Sequence, residues 1–322
     1  MNEKEQPEHL RLSAEEMRSF GYGVVYYSDQ THSSVERGLR LLGFAPAQLR
    51  KLPSDDGYRL PVARIRAAIA ADRAAGLQPF CVVANAGTTN TGAVDPLPEL
   101  VELCGLEGLW LHADSAYGGA AVLSDRGRRL LQGLGDVDSL AVDPHKWLFQ
   151  PYACGCVLFR DVRQARDTFH ILPEYLQDVH RAAEEINFCD YGVELTRPFR
   201  ALKLWLSLQV FGLDAFRAAL ERGLAQAELT EAILRGYPDW EIVTPAQLAI
   251  LTFRYAPPGR TDAELDVLNL ALVDRLIATG YAMISSTVLR GRPALRVCTI
   301  NPRTTEDDLH GLISLLDWLA RT

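Results

Sequence analysis

The chain has 322 residues, 48% hydrophobic and 23% charged, with a formal net charge of −8. That balance is ordinary for a globular chain with a substantial core, and the acidity argues against a general nucleic-acid binder. No stretch approaches the roughly 18 consecutive apolar residues of a membrane span. The charged opening MNEKEQPEHLRLSAEEMRSF has no apolar centre, so it is not a secretory leader. The cysteines (Cys81, Cys104, Cys154, Cys156, Cys189 and Cys298) are scattered, which reads as reduced, mostly buried thiols of a cytoplasmic protein. Cys154 and Cys156 have strand spacing that turns both to one face, but no second pair accompanies them to make a metal site.

In chain order, VVYYS (24–28) reads as a strand and HSSVERGLRLLG as a helix. The helix PVARIRAAIAADRAAG leads to the strand FCVVANAG (80–87), and the helix PLPELVELCGLEG to LWLHADSA (109–116). SLAVD (139–143) and CGCVLFR (154–160) complete this group. Continuous apolar strands separated by helices predict a mainly parallel sheet covered on both faces. The last two strands are too close for a helical crossover, so they are expected to pair antiparallel. From Arg197 the pattern changes. RPFRALKLWLSLQVFG and DAFRAALERGLAQAELTEAILRG read as two long helices. Strands near 241–244 and 248–255, a helix over 262–279 capped by Thr261 or Asp262, strands near 282–288 and 293–299 and a terminal helix follow. The expected organisation is an N-terminal segment (1–23), a large α/β domain (24–196), connecting helices (197–235) and a small α+β domain (236–322).

Ligands of open α/β sheets sit outside the carboxyl ends of the strands. Here those ends read Ser28-Asp29-Gln30-Thr31-His32, Asn85-Ala86-Gly87-Thr88-Thr89-Asn90, His112-Ala113-Asp114-Ser115-Ala116-Tyr117 and Asp143-Pro144-His145-Lys146. Four polar clusters in register make a site. Lys146 closes an apolar run, where an ammonium is costly unless paired or neutralised, so it is either an ion-pair partner, with Asp114 the candidate, or a reactive amine. His112 and Asp114 share a strand face, half of a metal site with no third ligand in view. His32 alone reads as a helix-start residue.

The segments YYSDQTHSSVERG, NAGTTNTGAVDPL, WLHADSAYGGA and DPHKWL occur in the family order of the group II pyridoxal-phosphate-dependent amino-acid decarboxylases, which the chain resembles along nearly its whole length. Asp114 and Lys146 lie 32 residues apart, which suits that family. The resemblance implies a fold-type I, transferase-like α/β architecture with a smaller C-terminal α+β domain. It implies pyridoxal 5′-phosphate as cofactor, an L-amino acid as substrate and a carboxy-lyase reaction. Lys146 would form the Schiff base with the cofactor aldehyde, its burial supplying a neutral amine. Asp114 would pair with the protonated ring nitrogen, so that the ring accepts electrons from the breaking bond. His32 would stack on one ring face and the methyl of Ala116 on the other, with Thr89 close by. His145, and with it Asp143, would lie near the phosphate.

By the same resemblance Tyr175, in ILPEYLQD, is the loop tyrosine that assists protonation of the substrate carbon, where a Phe would divert the reaction to an aldehyde. Taken alone it reads as a surface aromatic. Arg197 is either a family arginine near the site or a helix-start cation in a structural pair. Family members are longer: a dimer-locking helical segment and a Ser/Gly-rich turn that cradles the phosphate precede the region matched here. A fragment, a naturally short member and one half of a split enzyme are all consistent with this. The expected assembly is a homodimer or a chain completed by another, the expected cofactor grip is weak, and the sheet edge at CGCVLFR is expected to be exposed or covered otherwise.

Overall fold

The computed structural model of the protein describes residues 23–171 and 186–322. In the first half, strands β1 (Gly23–Ser28), β2 (Leu49–Leu52), β3 (Gln78–Asn85), β4 (Trp110–Asp114), β5 (Ser139–Val142) and β6 (Cys156–Phe159) form one sheet of order β2-β1-β3-β4-β5-β6. All neighbours are parallel except β5 and β6, which pair antiparallel as the short connection requires. Every residue of β1 is buried, as expected of a central strand covered on both faces. Helices α1 (Ser33–Leu41), α2 (Val62–Ala74) and α3 (Leu97–Glu107) supply the crossovers. α2 turns Ile65, Ile69 and Asp72 inward, at positions i, i+4 and i+7. The buried Asp72 carboxylate is met by the Tyr26 hydroxyl at 2.9 Å and by Arg50 Nη2 at 2.6 Å.

Strand β2 has no counterpart in the sequence reading. Its four residues, Leu-Arg-Lys-Leu, carry too little alternation, and Arg50 stays in the sheet because it reaches back to Asp72. The two edges differ accordingly. β2 is short and basic, whereas β6 leaves Val157 and Leu158 half exposed. The cysteine reading is corrected at the same edge: β6 begins only at Cys156, so Cys154 is buried before the strand while Cys156 is exposed, and the two do not share a face. With Cys81 and Cys104, three of the six thiols are buried rather than most of them.

The second half starts with helix α6 (Ala201–Arg235), preceded by the short helices α4 (Asp125–Leu130) and α5 (Val162–Phe169). α6 is broken at Gly212, whose φ of 74° leaves the helical region, so it is two helices end to end. Strands β7 (Trp240–Gln247), β8 (Ile250–Tyr255), β9 (Ser285–Leu289) and β10 (Arg292–Cys298) form an antiparallel sheet of order β7-β8-β10-β9. Helices α7 (Asp262–Ala278) and α8 (Glu306–Arg321) accompany it, and the capping box of α7 settles its N-cap as Thr261. Phe253, Leu272, Leu276, Leu295, Ile313 and Leu316 form its buried core. β7 turns into β8 through Leu248 and Ala249, both at positive φ (43° and 61°) and both buried. This turn packs against the rear of the larger sheet's strand ends.

Candidate active site

Because β1, β3, β4 and β5 run the same way, their carboxyl ends open on one edge, where a cavity of about 180 Å³ is lined from all four. From the turn after β1 come His32 and Ser34. His32 is the N-cap of α1: its Nδ1 accepts from Ser34 N at 3.2 Å and lies 2.7 Å from Ser34 Oγ. A ring nitrogen that accepts a backbone N–H carries no proton, so the imidazole proton sits on Nε2. His32 is therefore both a helix start and a cavity wall.

The end of β3 contributes Asn85, Gly87, Thr88 and Thr89. Thr88 is turned inward, accepting from Ala93 N at 3.1 Å and lying 2.8 Å from Thr91 Oγ1, which leaves the exposed Thr89 at the rim. Gly87 has φ 108°, and a Cβ there would come within 3.2 Å of Gly118 Cα and 3.0 Å of the Leu248 side chain. Only glycine suits so tight a floor.

The end of β4 contributes Asp114, Ala116 and Tyr117. Asp114 stands beside Asn85 in the parallel register. Its Oδ1 accepts from Ala116 N at 3.2 Å, and among the described residues no cation is placed to pair with it. Tyr117 stacks on the fully buried Trp147, with centroids 5.1 Å apart and planes within 12°, and its hydroxyl donates to Leu248 O at 2.6 Å. Burial pushes its phenol well above the ordinary range, so at neutral pH it is a wall and a hydrogen-bond donor.

Lys146 follows β5. The expected burial is not found: its side chain is 39% exposed, at the cavity mouth. It is paired, but with Asp143 rather than Asp114, Nζ to Oδ2 at 3.0 Å. The turn between them is i, i+3, which brings the two together locally and leaves Asp114 free. His145 points elsewhere. Its Nδ1 lies 2.7 Å from Cys154 O, its ring meets Tyr152 edge-on, and it does not line the cavity; Nε2 stays 3.7 Å from Asp143 Oδ2. Lys203 fastens the loop that follows, its ammonium donating to Pro151 O and Ala153 O at 2.9 Å each.

Arg197 lies outside the cavity, exposed, with Nε 3.8 Å from Glu194 Oε2 and its guanidinium over the Phe188 ring, which is the structural-pair reading. Tyr175 falls outside the described residues. His112 is bonded to Ser139 Oγ at 2.8 Å, and burial holds its imidazole below the usual range. Among the described residues no group of three His, Cys, Asp or Glu side chains is placed to hold a metal. A further cavity of about 230 Å³ behind Leu248 is lined by none of the residues from these strand ends.

The sequence reading gave no role to Asn85, Tyr117 or Asp95. Asp95 is 2% exposed behind Asn85 and accepts from Asn85 N (2.6 Å), Leu60 N (2.7 Å) and Asn85 Nδ2 (2.9 Å). Burial pushes its carboxyl up to about 6, against the pull of those three donors. No spacing rule announces a carboxylate whose partners are backbone groups of distant segments.

The chain matches the pyridoxal-dependent decarboxylase conserved domain over residues 6–256. It is 49% identical over 299 residues to an aromatic-L-amino-acid decarboxylase of Bacillus atrophaeus, covering 92% of this chain and 62% of that protein. It is 32% identical over 287 residues to a phenylacetaldehyde synthase of Arabidopsis thaliana, covering 88% of this chain and 58% of the relative. Among solved structures, the Oryza sativa TDC with PLP and tryptamine superposes with a TM-score of 0.91 at 32% identity, covering 96% of this chain and 64% of that one. The mostly parallel sheet joined to a smaller antiparallel sheet is the fold this chain shares with that structure. The chain belongs to the pyridoxal-dependent decarboxylase family. It spans about three fifths of the length of these relatives.

Proposed function

We propose that this chain carries the cofactor-facing part of a pyridoxal-phosphate-dependent carboxy-lyase acting on an aromatic L-amino acid, with the amine and carbon dioxide as products. The observation that carries the reading is the pairing pattern at the cavity. Among the described residues Asp114 presents a carboxylate with no cation, in the same cavity as an amine, Lys146, that is engaged by a different carboxylate. This arrangement suits a ring that brings its own positive nitrogen and an aldehyde. The names of the Bacillus relative and of the rice structure support the aromatic substrate.

When bound, pyridoxal phosphate supplies an electron sink for the bond to the departing carboxylate. In this reading Asp114 would hold the protonated ring nitrogen, and Lys146 would supply the amine that holds the aldehyde. Asp143 sits where it can take or return the Lys146 proton, at 3.0 Å. His32 and Ala116 would flank the ring, Thr89 lies at the rim, and Tyr175 would be the proton donor to the substrate carbon. For the phosphate the fit is poorer. The cavity holds two carboxylates and one ammonium, and His145 is committed to Cys154, so cofactor affinity at least tenfold below that of a longer relative is expected, a factor of ten being about 1.4 kcal/mol.

The same reading includes a cytoplasmic setting, supported by six free thiols, and a homodimer or a second chain as partner, supported by the exposed Val157, Leu158, Trp205, Val210 and Phe211. Aldehyde formation is the second reading, favoured by the likeness to phenylacetaldehyde synthase. It ranks below simple decarboxylation because residue 175 is Tyr, and Tyr175→Phe is expected to shift product from amine to aldehyde with oxygen consumed. The principal test is borohydride reduction of the protein with pyridoxal phosphate, followed by peptide mapping. Label on Lys146, abolished in Lys146→Ala, is expected; label on Lys203 or Lys51 instead would overturn the assignment.

A further inference from the structure

The cavity depends on two walls that belong to different strands: His32 after β1 and Asp114 at the end of β4. In the sheet order β3 lies between them, and its last residue is Asn85. The Asn85 amide nitrogen faces the β1 side and the interior. Its Nδ2 donates to Ser28 Oγ at 3.1 Å, to Thr31 Oγ1 at 3.1 Å and to Asp95 Oδ2 at 2.9 Å. Ser28 and Thr31 bracket the turn that delivers His32, and Thr31 Oγ1 also accepts from Ser28 N at 3.2 Å. On its other side Asn85 is in register with Asp114.

What orients that amide is Asp95. An ionised carboxylate is an acceptor only, so it dictates that Asn85 turns Nδ2, and not Oδ1, inward. It is 2% exposed, has no ion-pair partner among the described residues, and takes its third bond from Leu60 N on the segment leading into α2. A buried carboxylate without a counter-ion is costly, and here its whole set of partners is the strand end that lines the cavity and one backbone amide behind it.

We propose that Asp95 is a positioning residue of this site: through Asn85 it ties the His32-bearing turn to the strand end that carries Asp114, and so sets the width of the cofactor cavity. The inference rests on the cofactor reading above, and goes beyond it by assigning a group that touches neither cofactor nor substrate. Asp95→Asn is the informative change. Its Oδ2 position faces Asn85 N and Nδ2 and its Oδ1 position faces Leu60 N, so an amide in either orientation sets an NH2 against an N–H donor.

The test uses the full chain and has two readouts. Without cofactor, hydrogen exchange of the backbone amides over residues 28–32 is expected to accelerate in Asp95→Asn. With pyridoxal phosphate, binding is expected to weaken at least tenfold and the visible circular dichroism of the bound cofactor to change. Should Asp95→Asn not fold, Thr31→Val removes one acceptor from the same link at constant shape. It is expected to weaken cofactor binding several-fold, with Thr31→Ser restoring it. A folded Asp95→Asn with wild-type exchange, affinity and dichroism would overturn the inference alone, as would wild-type affinity in Thr31→Val where Asp95→Asn does not fold. Wild-type protein that gives no cofactor band at all would overturn the proposed function, and this inference with it.

Discussion

The larger and the smaller sheet bury similar side chains yet differ in what happens at their ends. In the smaller sheet several buried polar groups close on internal partners, although among the described residues the Nε atoms of Arg254, Arg292 and Arg296 do not. Thr244 and Thr252 hydroxyls lie 2.7 Å apart, Asn269 bonds both Tyr255 N and Tyr255 O, and Arg254 meets Asp266. In the larger sheet Asp114, Thr89 and Lys146 face a cavity with at most one side-chain partner each among the described residues. Strand direction explains the contrast. Parallel strands deliver all their carboxyl ends to one edge, so polar residues placed there converge; antiparallel strands alternate, and nothing accumulates. In the proposed function one sheet carries the chemistry and the other carries stability and the rear seal.

If that division holds, substitutions in the two sheets should fail in different assays. The largest expected effect is at Asp114. Asp114→Asn keeps the volume but removes the charge, and should lower turnover by about 3 kcal/mol of transition-state stabilisation, with the melting temperature nearly unchanged. Near-full turnover with unaltered cofactor binding would make Asp114 a structural residue and erase the contrast. The converse change is Leu295→Ala, at a residue with no exposed surface in the smaller core. Chemical denaturation should show a loss of about 2–4 kcal/mol, the range for an unfilled leucine cavity, while cofactor absorbance per folded molecule stays at the wild-type value. A shifted cofactor spectrum there would show that the sheets are not separable.

Smaller effects sharpen the same boundary. Thr261→Ala breaks the reciprocal cap with Glu264 that starts α7, and should cost about 1 kcal/mol in an unfolding titration without touching the cavity. The smallest effect concerns pH. Burial holds the His112 imidazole below its unfolded value, so the neutral form is favoured in the folded state. Its contribution is fully present above the unfolded pKa, about 6.5, and is lost as pH falls through the depressed folded value. His112→Gln should therefore flatten the fall in unfolding free energy between neutral and mildly acidic pH. Parallel curves for the two proteins would assign that fall to other groups.

Most of the fold could be read in the residues because long apolar runs and strong periodicities leave few alternatives. β1, β3 and the helix pair broken at Gly212 follow from local patterns, which also narrow the α7 cap to Thr261 or Asp262. β2 could not be read, since a four-residue strand with two cations is a strand only because β1 offers it an edge and Asp72 holds Arg50. The site divides the same way. At the strand-end clusters the family resemblance points to His32, Thr89, Asp114, Ala116, His145 and Lys146, and the cavity is lined by all of them except His145.

The amino-acid sequence by itself determined which polar residues stand at the strand ends, because that depends only on where apolar runs stop. Only the tertiary structure decided how they are paired. It gave Lys146 to Asp143, turned His145 onto Cys154, set Tyr117 between Trp147 and Leu248, and buried Asp95 behind Asn85. The Lys146–Asp143 pair is made within its own turn, but the other pairings depend on distance and direction between segments that meet only once the strands have packed.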